Sequence, residues 1–135
     1  MAGSLNTAAL FIIRSHGQST NQSLFSLHQV EQQREIPMLE QIKVAISELK
    51  LLRIHYDPGI RLIEPHTLGR SSKGYLLLRA YQVEGASASG EHKHWKLFRL
   101  DRCRSCDDDG GSFGGPRSDY KRDDKAMKGG IIQEL

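Results

Sequence analysis

Tyr75-Leu-Leu-Leu-Arg-Ala-Tyr-Gln-Val83, followed by Trp95-Lys-Leu-Phe-Arg-Leu-Asp-Arg102, decides the fold class. Successive side chains of a strand point to opposite faces. In the first run Leu76, Leu78 and Ala80 therefore share one face, which reads as core. Tyr75, Leu77, Arg79 and Tyr81 share the other and place a guanidinium between aromatic rings. In the second run Phe98 and Leu100 point inward and Arg99 outward. Arg102 shares the parity of Phe98, so either the strand ends at Asp101 or Arg102 forms an ion pair inside the fold. The stretch Gly85 to Gly90 between the two runs has the composition of a flexible loop.

Two more runs precede this pair. Leu51 to Tyr56 ends in Asp57-Pro58-Gly59, a strong turn signal. Ile60 to Leu68 carries Pro65, which has no backbone N–H to donate, so that run is bent, bulged or at an edge there. Short connections between neighbouring runs favour antiparallel pairing. Upstream, Pro37 suits the first position of a helix, and Leu39, Ile42, Ile46 and Leu49 recur at helical spacing with Glu40, Lys43 and Glu48 between them. The expected architecture is mainly β with flanking α: a small antiparallel barrel or meander preceded by an amphipathic helix.

The flanks read differently. Residues 1–35 are rich in Ser, Asn and Gln, with a β-like run at Leu10 to Ile13 and a short helix from Leu24 to Arg34, and this segment receives no assigned role. Asp107 to Pro116 reads as a Gly/Asp-rich linker. Ser118 then caps a last short helix, Asp119 to Lys128, ended by Gly129 and Gly130. The chain divides accordingly into 1–35, 36–106 and 107–135.

With 135 residues there is room for one core. The apolar run Ala8 to Ile13 is far shorter than the roughly 20 residues that span a bilayer, and Met1 to Thr7 holds no basic residue for a secretory leader. No membrane association is expected, and the cytoplasm is the default location. Cys103 and Cys106 are too close in sequence to restrain the unfolded chain and should be reduced. The net charge of +3 is unevenly spread. Residues 50–102 hold ten basic and five acidic side chains, while the segments before and after each carry a small acidic excess. Four of the six histidines, His55, His66, His92 and His94, fall in the basic part. Such a field either attracts an anionic partner or solvates the outside of a small barrel.

The motifs Leu51-Leu-Arg-Ile-His-Tyr56, Arg61-Leu-Ile-Glu-Pro-His-Thr-Leu68, Gly74-Tyr-Leu-Leu-Leu-Arg-Ala-Tyr81 and Leu97-Phe-Arg-Leu-Asp-Arg102 follow one another in the order of the WYL family, which the stretch from about Leu39 to Cys103 resembles. Gly74 stands where that family has its name-giving tryptophan. The resemblance implies an Sm-like or SH3-like five-stranded barrel. It also implies a ligand-sensing module of bacterial or phage regulatory and defence systems, usually found behind a winged-helix domain. Residues 1–35 are too short and too weakly basic to be that domain, which leaves a standalone sensor or accessory factor. The ligand implied is nucleic acid or a nucleotide-like anion.

A barrel that binds such a ligand needs fixed cations and flat side chains for a base to stack on. Arg79 with Tyr75 and Tyr81 supplies both, unless the tyrosines form a second core layer. Arg99 and Arg102 match recurrent arginines of the family, with a structural pair to Asp101 as the competing role. Arg61 and His66 flank the Glu64-Pro65 bend, as binding groups or as turn packing. The expected ligand-binding set is thus Arg61, His66, Tyr75, Arg79, Tyr81, Arg99 and Arg102. Cys103 and Cys106 are two ligands short of a structural zinc site. The missing donors would have to come from His92, His94 or Asp107 to Asp109, so neither metal nor other cofactor is expected. No Gly-rich phosphate loop or nucleophile elbow is present, and no catalysis is expected. Competing with the ligand sensor is a protein-interaction module docked on a larger regulator. A homodimer formed through barrel edges is a further option.

Overall fold

The computed structural model describes residues 37–135. The expected elements within residues 1–35 lie outside that range. A helix over residues 37–48 (α1) is followed by β1 (Lys50–Tyr56), β2 (Gly59–Arg70), β3 (Leu76–Gly85), β4 (His94–Arg99), β5 (Ser105–Ser112) and β6 (Gly130–Glu134). One turn of 3-10 helix, Leu100–Arg102, joins β4 to β5. All six strands belong to one antiparallel sheet ordered β4-β3-β2-β1-β5, with β6 paired to β2 beside β1. Among the described residues the fold is mainly β with a helix, as expected, but there are six strands and the ladder does not close. Among the described residues no helix is long and apolar enough to cross a membrane.

The alternation of β1, β3 and β4 places the core, while of the expected helical stripe Ile42 and Ile46 are buried, Leu39 is partly buried and Leu49 lies in the turn after the helix. Met38, Ile42, Ala45 and Ile46 of α1 are buried against Leu52 and Ile54 of β1, Ile63 and Leu68 of β2, Leu76, Leu78 and Ala80 of β3, and Phe98 and Leu100. Burying that apolar stripe holds the helix on one face of the sheet. The sheet also curls. Tyr56 at the end of β1 meets Phe98 of β4 edge-to-face at 4.9 Å, and its hydroxyl accepts the backbone N–H of Arg99 at 3.3 Å. A side chain therefore bridges two strands that are not neighbours in the ladder.

β2 carries the decisive irregularity. Its pairing with β3 slips between Pro65 and Thr67, a bulge that turns the remainder of the strand over. Ile63 and Leu68 both reach the core, while Glu64, His66 and Thr67 face partners on the other side of the sheet. On the β1 side, pairing stops at Ile63 and resumes with β6 at Thr67. Pro65 thus sits where that edge has no ladder to donate to.

Two readings of the C-terminal third need correction. Asp107 to Ser112, expected as linker, belong to β5. Aspartates and glycines are poor strand formers, but here they pair with the basic edge of β1. Arg53 meets Asp109 at 2.6 Å and Lys50 meets Asp108 at 3.9 Å. Residues 119–128 are turns and irregular backbone instead of a helix, and Gly130–Glu134 is a strand. The glycine pair expected to end a helix starts β6 instead. Arg102 is also resolved: β4 ends at Arg99, and the 3-10 turn leaves Arg102 exposed.

Candidate functional site

The stretch from Phe113 to Met127 crosses the sheet face opposite the core. Phe113 stacks on the His66 ring at 5.6 Å. Arg117 donates through Nε and Nη2 to both Glu64 carboxylate oxygens, at 2.8 and 3.1 Å, and its guanidinium lies 3.7 Å from the Tyr81 ring centroid. That carboxylate holds the Arg117 pKa above its ordinary value. The Tyr120 hydroxyl shares a 2.8 Å hydrogen bond with Thr67. Trp95 Nε1 donates to Asp119 at 3.0 Å. Met127 is buried over Gly69, where a Cβ would meet Met127 Sδ at 2.9 Å and the Gly130 carbonyl at 2.6 Å.

His66 is the hub beneath this strap. It is wholly buried, with Trp95 at 4.7 Å and Tyr120 at 4.9 Å from its ring centre. Nδ1 pairs with the Glu64 carbonyl at 2.9 Å, and Nε2 accepts the Arg117 backbone N–H at 3.2 Å. One nitrogen meets an acceptor and the other a donor, which is the pattern of a neutral imidazole. Burial lowers its pKa, against the raising effect of the Glu64 carbonyl and carboxylate.

Beside the strap lies a cleft of about 440 Å³ lined by Arg79, Trp95 and residues 119–125. That volume is within the range of small-molecule sites. Trp95, the only tryptophan of the chain, and Tyr120 are inclined by 26° with ring centres 6.1 Å apart. Cations and carboxylates share the wall. Arg79 makes a bidentate pair with Asp124, which hydrogen bonds from that arginine keep below the ordinary carboxylate range despite partial burial. Arg122 pairs with Glu134 at 2.9 Å. Lys121 and Lys125 are exposed and make no hydrogen bond or ion pair among the described residues.

The seven residues singled out from sequence are dispersed. Only Arg79 lines the cleft. Tyr81 lies behind it, edge-on to Trp95 at 5.5 Å and covered by Arg117. Arg61 is buried, donating to the Tyr56 and Asp57 carbonyls and to Gln82 Oε1, with Tyr56 and Phe98 against its guanidinium. His66 is the hub just described. Arg99 lies 3.8 Å from the Tyr75 ring centroid and binds both oxygens of Asp101, the pairing that competed with its ligand role. Arg102 is exposed and has no partner among the described residues.

Trp95, Tyr120, Lys121 and Lys125 escaped the sequence reading. A lone tryptophan next to a strand start and a Tyr-Lys-Arg triplet were the available signals, yet nothing local says that the two segments meet. Cys103 and Cys106 are not joined in a disulfide, and burial pushes the Cys106 thiol up to about 12. Among the described residues no group of three or more His, Cys, Asp or Glu gathers around a common point. No protein-family model, curated protein or solved structure matches the chain.

Proposed function

We propose that the chain is a non-catalytic ligand-binding module of the WYL type its motifs resemble, and that the Trp95–Tyr120 cleft takes an anionic, nucleotide-like ligand or single-stranded nucleic acid. One observation carries the reading: two aromatic rings, a half-buried arginine and two lysines without an ion pair among the described residues line one cleft of about 440 Å³. A base stacks on aromatic faces whatever its identity, and lysine and arginine neutralise its phosphate. Arg79, Lys121 and Lys125 are the phosphate contacts in this account, and Trp95 and Tyr120 the stacking groups. Tyr81 and Arg117 support Trp95 from behind. Arg61, His66 and Arg99 serve the fold.

The same reading treats the curled sheet as a five-stranded Sm-like or SH3-like barrel with β6 added, supported by the contact of Tyr56 with Phe98 and Arg99. A cytoplasmic setting fits the two unjoined thiols.

Because Trp95 is the sole tryptophan, its emission reports on the cleft alone. Titration with nucleoside phosphates and with short single-stranded DNA and RNA should change that emission, more weakly at high salt. Unchanged emission together with no heat of binding in calorimetry would sink the proposal. Co-purification of one stoichiometric protein under those conditions would then favour the interaction module.

A further inference from the structure

The cleft already contains an anion of the protein's own. Asp124 offers both carboxylate oxygens to Arg79, Oδ2 to Nε at 2.6 Å and Oδ1 to Nη2 at 3.2 Å. This is the fork geometry with which an arginine takes a phosphate. Asp124 comes from irregular backbone, where its Oδ1 accepts the Ala126 N–H at 3.0 Å and its carbonyl accepts the Met127 N–H at 3.0 Å. Buried Met127 and the Asp124 carbonyl hold that turn by contacts other than the carboxylate, whose rotation would release Arg79 together with the Ala126 N–H. Lys121 and Lys125, on the same stretch, meet no carboxylate among the described residues. The arrangement resembles an anion site whose central arginine is occupied by a tethered competitor.

Size limits what can replace it. About 440 Å³ holds one nucleotide, whereas proteins that follow a single strand use grooves about four or more nucleotides long. We infer that the cleft takes a single nucleoside phosphate, whose phosphate displaces the Asp124 carboxylate from Arg79, and that Asp124 sets the affinity as a built-in competitor. This rests on the binding reading above and narrows its ligand class.

The test is calorimetric titration of the full chain with adenosine monophosphate, adenosine and a single-stranded oligonucleotide. Wild type is compared with Asp124→Asn and Asp123→Asn. Asp123 lines the same cleft, makes no ion pair among the described residues and has φ 57°, a conformation that Asn adopts readily. Its substitution changes the charge equally while leaving Arg79 occupied. The expected result is that adenosine monophosphate binds and adenosine does not, with affinity raised roughly fivefold by Asp124→Asn and clearly less by Asp123→Asn. If Asn at 124 disturbs the fold, Asp124→Ser retains an acceptor for the Ala126 N–H and takes its place. Equal gains from the two variants, or binding of the oligonucleotide alone, would overturn the inference and leave the broader binding reading standing. Failure of wild type and Asp124→Asn to bind either phosphate-bearing probe would overturn both.

Discussion

His66 has no exposed surface and serves both directions of a hydrogen-bond relay, from the Arg117 N–H to the Glu64 carbonyl. A protonated ring would turn Nε2 into a donor facing a donor and place a charge among Trp95, Phe113 and Tyr120. The pKa is lowered in the folded state, so between that value and about 6.5 the unfolded chain binds the extra proton. Stability is therefore full above about 6.5 and falls as pH drops below it. We predict that His66→Phe flattens this dependence in thermal melts and costs about 1–3 kcal/mol at neutral pH, because a buried carbonyl and N–H lose their partner. An unchanged slope below pH 6.5 would place the titrating group elsewhere. Asp124 acts in a separate window: its lowered pKa contributes stability that is lost only under more acidic conditions, as pH falls through the folded-state value.

Arg61 shows how far single residues could be read. Its parity and its position before the Glu64-Pro65 bend were legible, but whether its donors meet a ligand or the chain's own carbonyls depends on how β1 turns into β2. The structure gives all three of its hydrogen bonds to the protein. We predict that Arg61→Ala lowers the urea midpoint by more than Arg99→Ala, since the buried Gln82 Oε1 and two part-buried carbonyls lose their donor in the first case and an exposed pair is lost in the second. Equal midpoints would contradict the fold role given to Arg61.

At the level of elements, strands with apolar alternation announced themselves. β1, β3, β4 and the helix carry their burial in their own periodicity, and Pro65 announced the bulge in β2. β5 and β6 did not. An Asp-Asp-Asp-Gly-Gly run pairs with β1 and sets its carboxylates beside Lys50 and Arg53, and in residues 119–128 the side chains of Asp119, Tyr120 and Asp124 each bond to the sheet. Such partners are distant in sequence, so no local pattern contains them. The seat of β6 is sterically narrow: Gly69 faces Ile131 in the pairing and leaves no room for a Cβ. We predict that Gly69→Ala costs about 1–3 kcal/mol through overpacking. Amide exchange should quicken selectively in residues 130–134. Uniform acceleration across β3 and β4 would contradict local docking of β6.

Across residues 37–135, the two sheet faces divide the labour. One buries α1 and the apolar cluster; the other is covered by a polar and aromatic strap that leaves a cleft at Trp95. The sequence pointed to that second face through Arg79 and Tyr81, but it could not foresee that Arg117 and Asp124 would already cover them. On the proposed reading, binding there neutralises phosphate charge, so affinity should fall with rising salt, with a shallower slope in Lys121→Gln/Lys125→Gln than in wild type. An unaltered slope would remove these lysines from the site.

The most direct measurement is a two-dimensional amide correlation spectrum of the isotope-labelled protein titrated with adenosine monophosphate, in which the Trp95 indole N–H is a single resolvable signal. The account predicts that this signal moves together with the amides of residues 119–125 and the Arg79 side chain, while those of Tyr75, Arg99 and Arg102 stay in place. Shifts centred on Tyr75, Arg99 and Arg102, with the indole signal unmoved, would contradict it.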